Sequence, residues 1–357
     1  MASRRTVLLG AGAAAALAGG GYALFRTPAD DGAGMPGSKP EVVRMVGSMP
    51  YRRFGATGLE VSEVGFGAWA IGGNSYGSAK RGESLAALAR AEELGCNLVD
   101  TAAVYGDSEG VLGEFLADRR SRWIVSTKYS GQEAGMTATL ESQLRALRTD
   151  HVDFYMIHWV PAAGDKLLAE LASLKRAGKT RFVGVSLYSA EEIDRVLANS
   201  ALDGFMVAVS LLDPDPFLAR RVAIAASGKA VIARSSLKEG FLAGKFTHAT
   251  RFTDPADQRS KWSEQQIART VDQVERFRFL EARAGSLATA AIAYPLVFPE
   301  VSSVVVGVKK VWEAEANFGK VPGYRLDDGE LARVAALQGS LRLRATRSLL
   351  ERLRAWL

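Results

Sequence analysis

Short apolar or β-branched runs alternate with longer stretches of helical period along most of this chain. The runs fall at Glu63 to Gly67, Asn97 to Thr101, Trp123 to Thr127, Val152 to His158, Phe182 to Ser186, Phe205 to Val209, Ala230 to Arg234 and Ser303 to Val306. Between them, Glu83 to Leu94, Ala138 to Leu147, Lys166 to Arg176 and Ala190 to Ala198 are rich in Ala and Leu at the spacing of amphipathic helices. Eight such alternations predict an α/β fold, a (β/α)8 barrel whose chemistry gathers at the carboxyl ends of its strands. Side-chain alternation along the fourth run puts Val152, Phe154, Met156 and His158 on one face. His158 is then the polar member of an inward-facing set.

Four polar residues stand at or just beyond the ends of these runs: Asp100, Tyr105, Lys128 and His158. Taken singly, each has an ordinary structural role, as a helix cap, a loop aromatic, a solvated strand end and a core histidine. Gathered at one mouth of a barrel, they make a proton-donating site suited to carbonyl reduction. The phenol of Tyr105 is the acid, Lys128 lowers its pKa, Asp100 keeps the lysine charged, and His158 hydrogen-bonds the carbonyl oxygen as a neutral imidazole. Trp69 and Trp159, also at strand ends, are expected to wall the substrate pocket.

The local sequences around these residues resemble the aldo-keto reductase family. The motifs are YRRFGATGLEVS at Tyr51 to Ser62, GFGAWAIGG at Gly65 to Gly73, NLVDTAAVYG at Asn97 to Gly106, STK at Ser126 to Lys128, DFYMIHW at Asp153 to Trp159 and GKTRFVGVS at Gly178 to Ser186. They occur in family order, and the resemblance extends from about Met49 to Asn317. It implies an opening hairpin before the barrel and an extended nicotinamide nucleotide as cofactor, NADPH first and NADH as the alternative. Ser186 matches the family serine that contacts the nicotinamide amide. Ser235, Leu237, Gly240 and Lys245 fall in the loop that cradles the pyrophosphate, and Gly307, Lys309, Glu313 and Asn317 fall at the adenosine end. In that match Lys309 would neutralise a 2'-phosphate and Asn317 would meet the adenine, whereas Glu313 would repel the phosphate unless Lys309 and Lys310 screen it. Three positions depart from the family: Leu187 stands for an Asn, Met206 for a Gln and Val209 for a stacking Tyr. Loss of those contacts would weaken cofactor binding, and it keeps open a second reading, a cofactor-binding redox sensor or partner subunit with little turnover. No metal site is expected.

The chain has 357 residues and 48% hydrophobic content, enough for one large core. Arg4-Arg5, followed by a Gly/Ala-rich apolar stretch to Phe25, resembles a twin-arginine signal, so residues 1–29 are expected to be a leader or anchor and 30–48 a linker. The barrel is expected over 49–320 and a helical extension over 321–357. Export through the twin-arginine machinery would place the protein in the periplasm or tether it on the exported side of the membrane. Setting aside residues 1–29 removes Arg4, Arg5 and Arg26 and no acid, so the net charge falls from +6 to +3. That is no nucleic-acid footprint. The lone Cys96, within an apolar run, is expected to be a core residue. Leu341 to Leu357 carries five arginines and leucines at helical spacing. It reads as a helix packed on the barrel, with contact to an anionic membrane surface as the other reading.

Overall fold

The structure is a computed structural model describing residues 40–356, apart from positions 74, 78, 132–134 and 160–163 and the side chains of 164, 165 and 343–356. The leader expected at 1–29 lies outside the described residues.

Eight parallel strands close into a barrel: β4 (Val64–Gly67), β5 (Leu98–Asp100), β6 (Ile124–Tyr129), β7 (Val152–Ile157), β8 (Thr180–Leu187), β9 (Gly204–Ala208), β10 (Ala230–Arg234) and β11 (Ser303–Gly307). Each coincides with one of the eight apolar runs. Leu98, Ile124, Phe154, Met156, Met206, Ala230, Ile232 and Val305 fill the interior. A Cβ on Gly184 would collide with the Phe154 ring and the Gly204 carbonyl, so glycine is what lets that ring occupy the barrel axis. The other strand face packs against helices through a second core that includes Leu88, Leu112, Leu140, Leu171 and Ile193. Cys96 belongs to that core, and burial pushes its thiol up to about 12.

An antiparallel sheet of β1 (Arg44–Val46), β2 (Met49–Arg53) and β3 (Glu60–Ser62) precedes the barrel. Phe54 and Val61 from this sheet region join the barrel interior, and the Phe54 ring meets Phe154 edge-on at 5.2 Å. The sheet therefore stoppers the amino-terminal end and leaves the carboxyl end for the site. Arg52, 3% exposed, secures this arrangement. Its guanidinium donates to Glu63 at 2.8 Å and to the carbonyls of Leu296, Val301 and Phe298 at 2.6, 2.9 and 3.2 Å. Glu63 also pairs with Arg325, so one buried carboxylate holds the first and last parts of the barrel domain together.

The last helix, Asp328–Trp356, begins well before the stretch from Leu341 that the arginine pattern marks. Its early part packs on the barrel: buried Gln338 donates to the Leu211 carbonyl at 3.0 Å, and Arg342 donates to Asp215 at 2.9 Å. Among the described residues, no helix is long and apolar enough to cross a membrane.

Truncating Arg52 would leave Glu63 and three buried carbonyls short of a donor. Arg52→Ala is expected to lower stability by about 3 to 5 kcal/mol, the range for breaking a buried pair, as read from urea unfolding midpoints. A loss below about 1 kcal/mol, the usual worth of an exposed pair, would refute this anchoring role.

Candidate active site

The inward-facing rows that fill the barrel end in polar residues at its carboxyl rim. Leu98 is followed two residues on by Asp100, Ser126 by Lys128, Met156 by His158, Gly184 by Ser186 and Ile232 by Arg234. Tyr105 comes from the loop after β5, where its N–H bonds the Ala102 carbonyl at 3.0 Å. Gly72 lies so close to the Tyr105 carbonyl that no Cβ fits between them, and the Gly72 carbonyl accepts from Asp107 N at 3.2 Å. The loop after β4 thereby fixes the one carrying the phenol.

All four residues read from the sequence as a proton-donating set meet here. The Lys128 ammonium, with no exposed surface, donates to Asp100 Oδ2 at 2.6 Å and to the Thr101 carbonyl at 2.7 Å. The other Asp100 oxygen accepts from Ser126 at 2.8 Å. Burial pushes the carboxyl up and the ammonium down, and each charge opposes the shift of the other. Lys128 Nζ lies 5.1 Å from the Tyr105 ring centroid, and Tyr105 OH is 3.4 Å from His158 Nε2. His158 is held down to about 2 by burial and by the charges of Lys128 and Arg234, so the imidazole is neutral.

The Tyr105 phenol stands well above its ordinary value, first by burial and then by the Asp100 carboxylate, so any lowering by Lys128 that the sequence reading expects is outweighed. The ammonium is committed to Asp100 and Thr101, and its contact with tyrosine is to the ring.

Trp69 stacks on Tyr105 with ring centroids 5.7 Å apart, and Trp159 stacks on His158 at 4.1 Å. Both tryptophans flank the hydroxyl–imidazole pair. The polar segment Phe246 to Trp262, which the sequence leaves as either a cover over the mouth or a solvated loop, is tied to two rim loops. Gln258 N donates to the Ser75 carbonyl and Arg259 to the Glu239 carbonyl, each at 2.9 Å. Asp257 forms a bridge with Tyr76, and the Arg259 guanidinium lies over the rings of Phe252, Tyr76 and Phe246.

The residues matched to a nucleotide fall on the same rim. Ser186 Oγ is buried without a hydrogen-bond partner among the described residues and extends the inward row of β8. Ser235, Leu237 and Gly240 form the loop after β10. Among the described residues, this loop holds three of the four non-glycine positions with positive φ, namely Ser235, Lys238 and Glu239, and they are joined by left-handed Gly240. Such strain clusters at ligand-binding loops, and within this one the N–H groups of Lys238 and Gly240 donate to the carbonyls of Ser235 and Leu237 at 2.9 and 3.0 Å. Lys245 lies at the end of this loop beside Phe246. At the other end of the groove, Gly307 closes β11, Lys309 Nζ donates to the Tyr76 carbonyl at 2.7 Å, and Asn317 is buried in the π-helical turn Glu315–Lys320. Glu313 accepts from the N–H groups of Lys309 at 2.7 Å and Lys310 at 3.1 Å, so its carboxylate caps the short helix Val311–Ala314. These residues fit a nicotinamide nucleotide at the serine, the strained loop and the lysine.

The three departures from the family have a different meaning in the structure. Leu187 and Val209 are fully buried in the core between strands and helices, and Met206 is packed inside the barrel with Phe154 and Ile232. Apolar packing occupies these positions, and an amide or phenol placed there would have to be buried. The residue that sequence reasoning missed is Arg234. It was legible as the inward-facing end of the run Ala230 to Arg234, by the same alternation that singled out His158.

The chain matches the model of the aldo/keto reductase family over residues 63–338. It is 28% identical to the aldo-keto reductase YhdN of Bacillus subtilis over 306 residues, covering 78% of this chain and 90% of that one. It is 27% identical to the NADH-specific methylglyoxal reductase of Escherichia coli over 300 residues, covering 74% and 90%. The glycerol dehydrogenase AKR11B4 of Gluconobacter oxydans superposes with a TM-score of 0.69 at 26% identity, covering 82% of this chain and 95% of that one. With its barrel, its rim of Asp100, Tyr105, Lys128 and His158, and a family match spanning most of its length, the chain belongs to the aldo/keto reductase family of oxidoreductases.

Proposed function

We propose that this protein reduces an aldehyde or ketone with NAD(P)H, with Tyr105 as the proton donor. The observation that carries this reading is the 3.4 Å approach of Tyr105 OH to neutral His158 beside the buried Lys128–Asp100 pair. A carbonyl oxygen entering between the hydroxyl and Nε2 meets two hydrogen-bonding groups in a pocket walled by Trp69 and Trp159. The nicotinamide, when bound, supplies the hydride. As charge builds on the carbonyl oxygen, Tyr105 donates its proton to it and His158 keeps it oriented. Lys128 steadies the tyrosine through its ring and stabilises phenolate character as the proton leaves, while Asp100 fixes the lysine.

NADPH and NADH both remain in this reading. Lys309 supports a 2'-phosphate. The Glu313 carboxylate, held on the N–H groups of Lys309 and Lys310, opposes one. The name of the Escherichia coli relative, an NADH-specific enzyme, adds weight to NADH. We further read Arg4-Arg5 and the apolar stretch after it as a twin-arginine signal that exports the folded barrel to the periplasm or tethers it on the exported side.

Tyr105→Phe is expected to lower the turnover number by about 100-fold or more, the usual worth of a general acid, while nucleotide affinity stays within about twofold by tryptophan fluorescence titration. Retention of more than about a tenth of wild-type turnover would sink the acid assignment.

The depressed pKa of His158 also makes a stability prediction. The unfolded chain protonates this histidine near its ordinary value while the folded chain does not, so its contribution is complete above about pH 6.5 and is lost as the pH falls below it. Between pH 7.5 and pH 5 the loss amounts to about 2 kcal/mol for one such group. His158→Gln is expected to remove that increment, seen as a smaller drop in the urea midpoint across the interval. Parallel pH profiles for the two proteins would refute a histidine held neutral in the fold.

Replacing Arg4 and Arg5 by Lys keeps the charge and the apolar stretch but removes the arginine pair. Tagged full-length protein should then disappear from the periplasmic or exported-side fraction. Equal accumulation with and without the substitution would overturn the export reading.

A further inference from the structure

A second buried carboxylate, Glu109, lies on the helix side of the strand that carries Lys128. Along β6, Ile124 faces the barrel interior and Val125 and Tyr129 pack toward the helices, so by alternation Lys128 points inward and Thr127 outward. Glu109, in the first turn of the helix Ser108–Leu116, accepts from Thr127 Oγ1 and from Gln143 Nε2, each at 2.7 Å. Gln143, on the helix Met136–Leu147, also donates to Thr127 Oγ1 at 2.8 Å and to the Lys128 carbonyl at 3.1 Å. All three side chains are buried, so these bonds are made out of water and are costly to lose.

The network does more than fasten two helices to a strand. The Gln143 amide is turned so that Nε2 meets three acceptors, while its buried Oε1 has no partner among the described residues. Reversed, the amide would set an oxygen against the Glu109 carboxylate and the Lys128 carbonyl, so the carboxylate fixes its direction and leaves one oxygen unpaired. The same contacts join the two halves of the proton-donating set. Ser108, next to Glu109, donates its N–H to the Tyr105 carbonyl at 3.2 Å, and its Oγ lies 2.6 Å from Thr101 Oγ1. The Lys128 carbonyl that receives Gln143 also accepts from Ala103 N at 3.3 Å, at the start of the loop carrying the phenol. Burial pushes the Lys128 ammonium down; Asp100 opposes that shift, and the Glu109 charge adds to the opposition.

We propose that Glu109 is a positioning residue: acting through Thr127 and Gln143, it holds Lys128 beside the Tyr105 ring and sets a second carboxylate near the ammonium. Its use in proton donation rests on the carbonyl-reductase reading, whereas the coupling of Glu109 to Lys128 does not. The effect reaches the phenol by two routes, the placement of the strand end and the charge.

The test uses the full chain, with benzaldehyde as the carbonyl and both NADH and NADPH. Thr127→Val keeps the shape of the side chain and removes its bonds; Glu109→Gln keeps an oxygen for the two donors and removes the charge. Thr127→Val is expected to lower kcat by about tenfold with KM within about threefold, because a misplaced reacting group slows the chemistry more than it weakens binding. Glu109→Gln is expected to move the basic limb of the kcat profile to lower pH by about half a unit or more, since loss of a nearby negative charge favours the deprotonated forms of both Lys128 and Tyr105. A carboxylate with a purely structural role would leave that limb in place. NMR of isotope-labelled lysine, with the Lys128 signal assigned from Lys128→Met, should show the same downward shift without any turnover. Wild-type kcat in Thr127→Val would overturn the positioning role whether or not Glu109→Gln folds. So would an unmoved limb and an unmoved Lys128 titration in folded Glu109→Gln, an outcome that leaves the reductase reading standing as long as wild type reduces the aldehyde. A Lys128 shift in Glu109→Gln with no aldehyde reduction by wild type would uphold the coupling and overturn the reductase reading.

Discussion

The site is organised around an ammonium that has been taken entirely out of water. Lys128 has no exposed surface, and a charge so placed is tolerated only with close partners. It has two, Asp100 and the Thr101 carbonyl, and Ser126 completes the set by holding the second carboxylate oxygen. The pair spans the neighbouring strands β5 and β6, whose register places Asp100 opposite Ser126. Everything else at the mouth takes its character from this arrangement. The Tyr105 ring lies over the ammonium, and His158 is kept neutral partly by it.

Much of this was legible in the sequence because barrels convert period-two patterns directly into positions. A polar residue two places beyond a run of inward-facing apolar side chains has only the rim to occupy, and that rule places Asp100, Lys128, His158 and Ser186. The same rule bears on the three departures from the family. Leu187 and Ser186 are adjacent in sequence but face opposite sides of the sheet, so a string that aligns with family motifs does not show which of its residues reach the cavity. Met206 does face inward, but at a depth where the barrel is already filled by Phe154, Met156 and Ile232. The direction of the Tyr105 pKa was out of reach for a different reason. It is set first by how deeply the phenol is buried and then by the Asp100 carboxylate, and residue order along the chain carries neither.

The far side of the mouth combines local strain with tethering. Ser235, Lys238 and Glu239 adopt left-handed backbone conformations that glycine would accept more readily. Surrounding contacts hold the loop in that shape: the Lys238 ammonium pairs with Asp213, and the Glu239 carbonyl accepts from Arg259. Arg259 in turn belongs to the segment bridged to Tyr76, whose carbonyl receives the Lys309 ammonium. The loops after β4, β10 and β11 are thus linked through a few polar contacts, mostly to backbone carbonyls. A ligand extending along this groove would have to compete for Lys309 and Arg259, which ties binding there to the position of the covering segment.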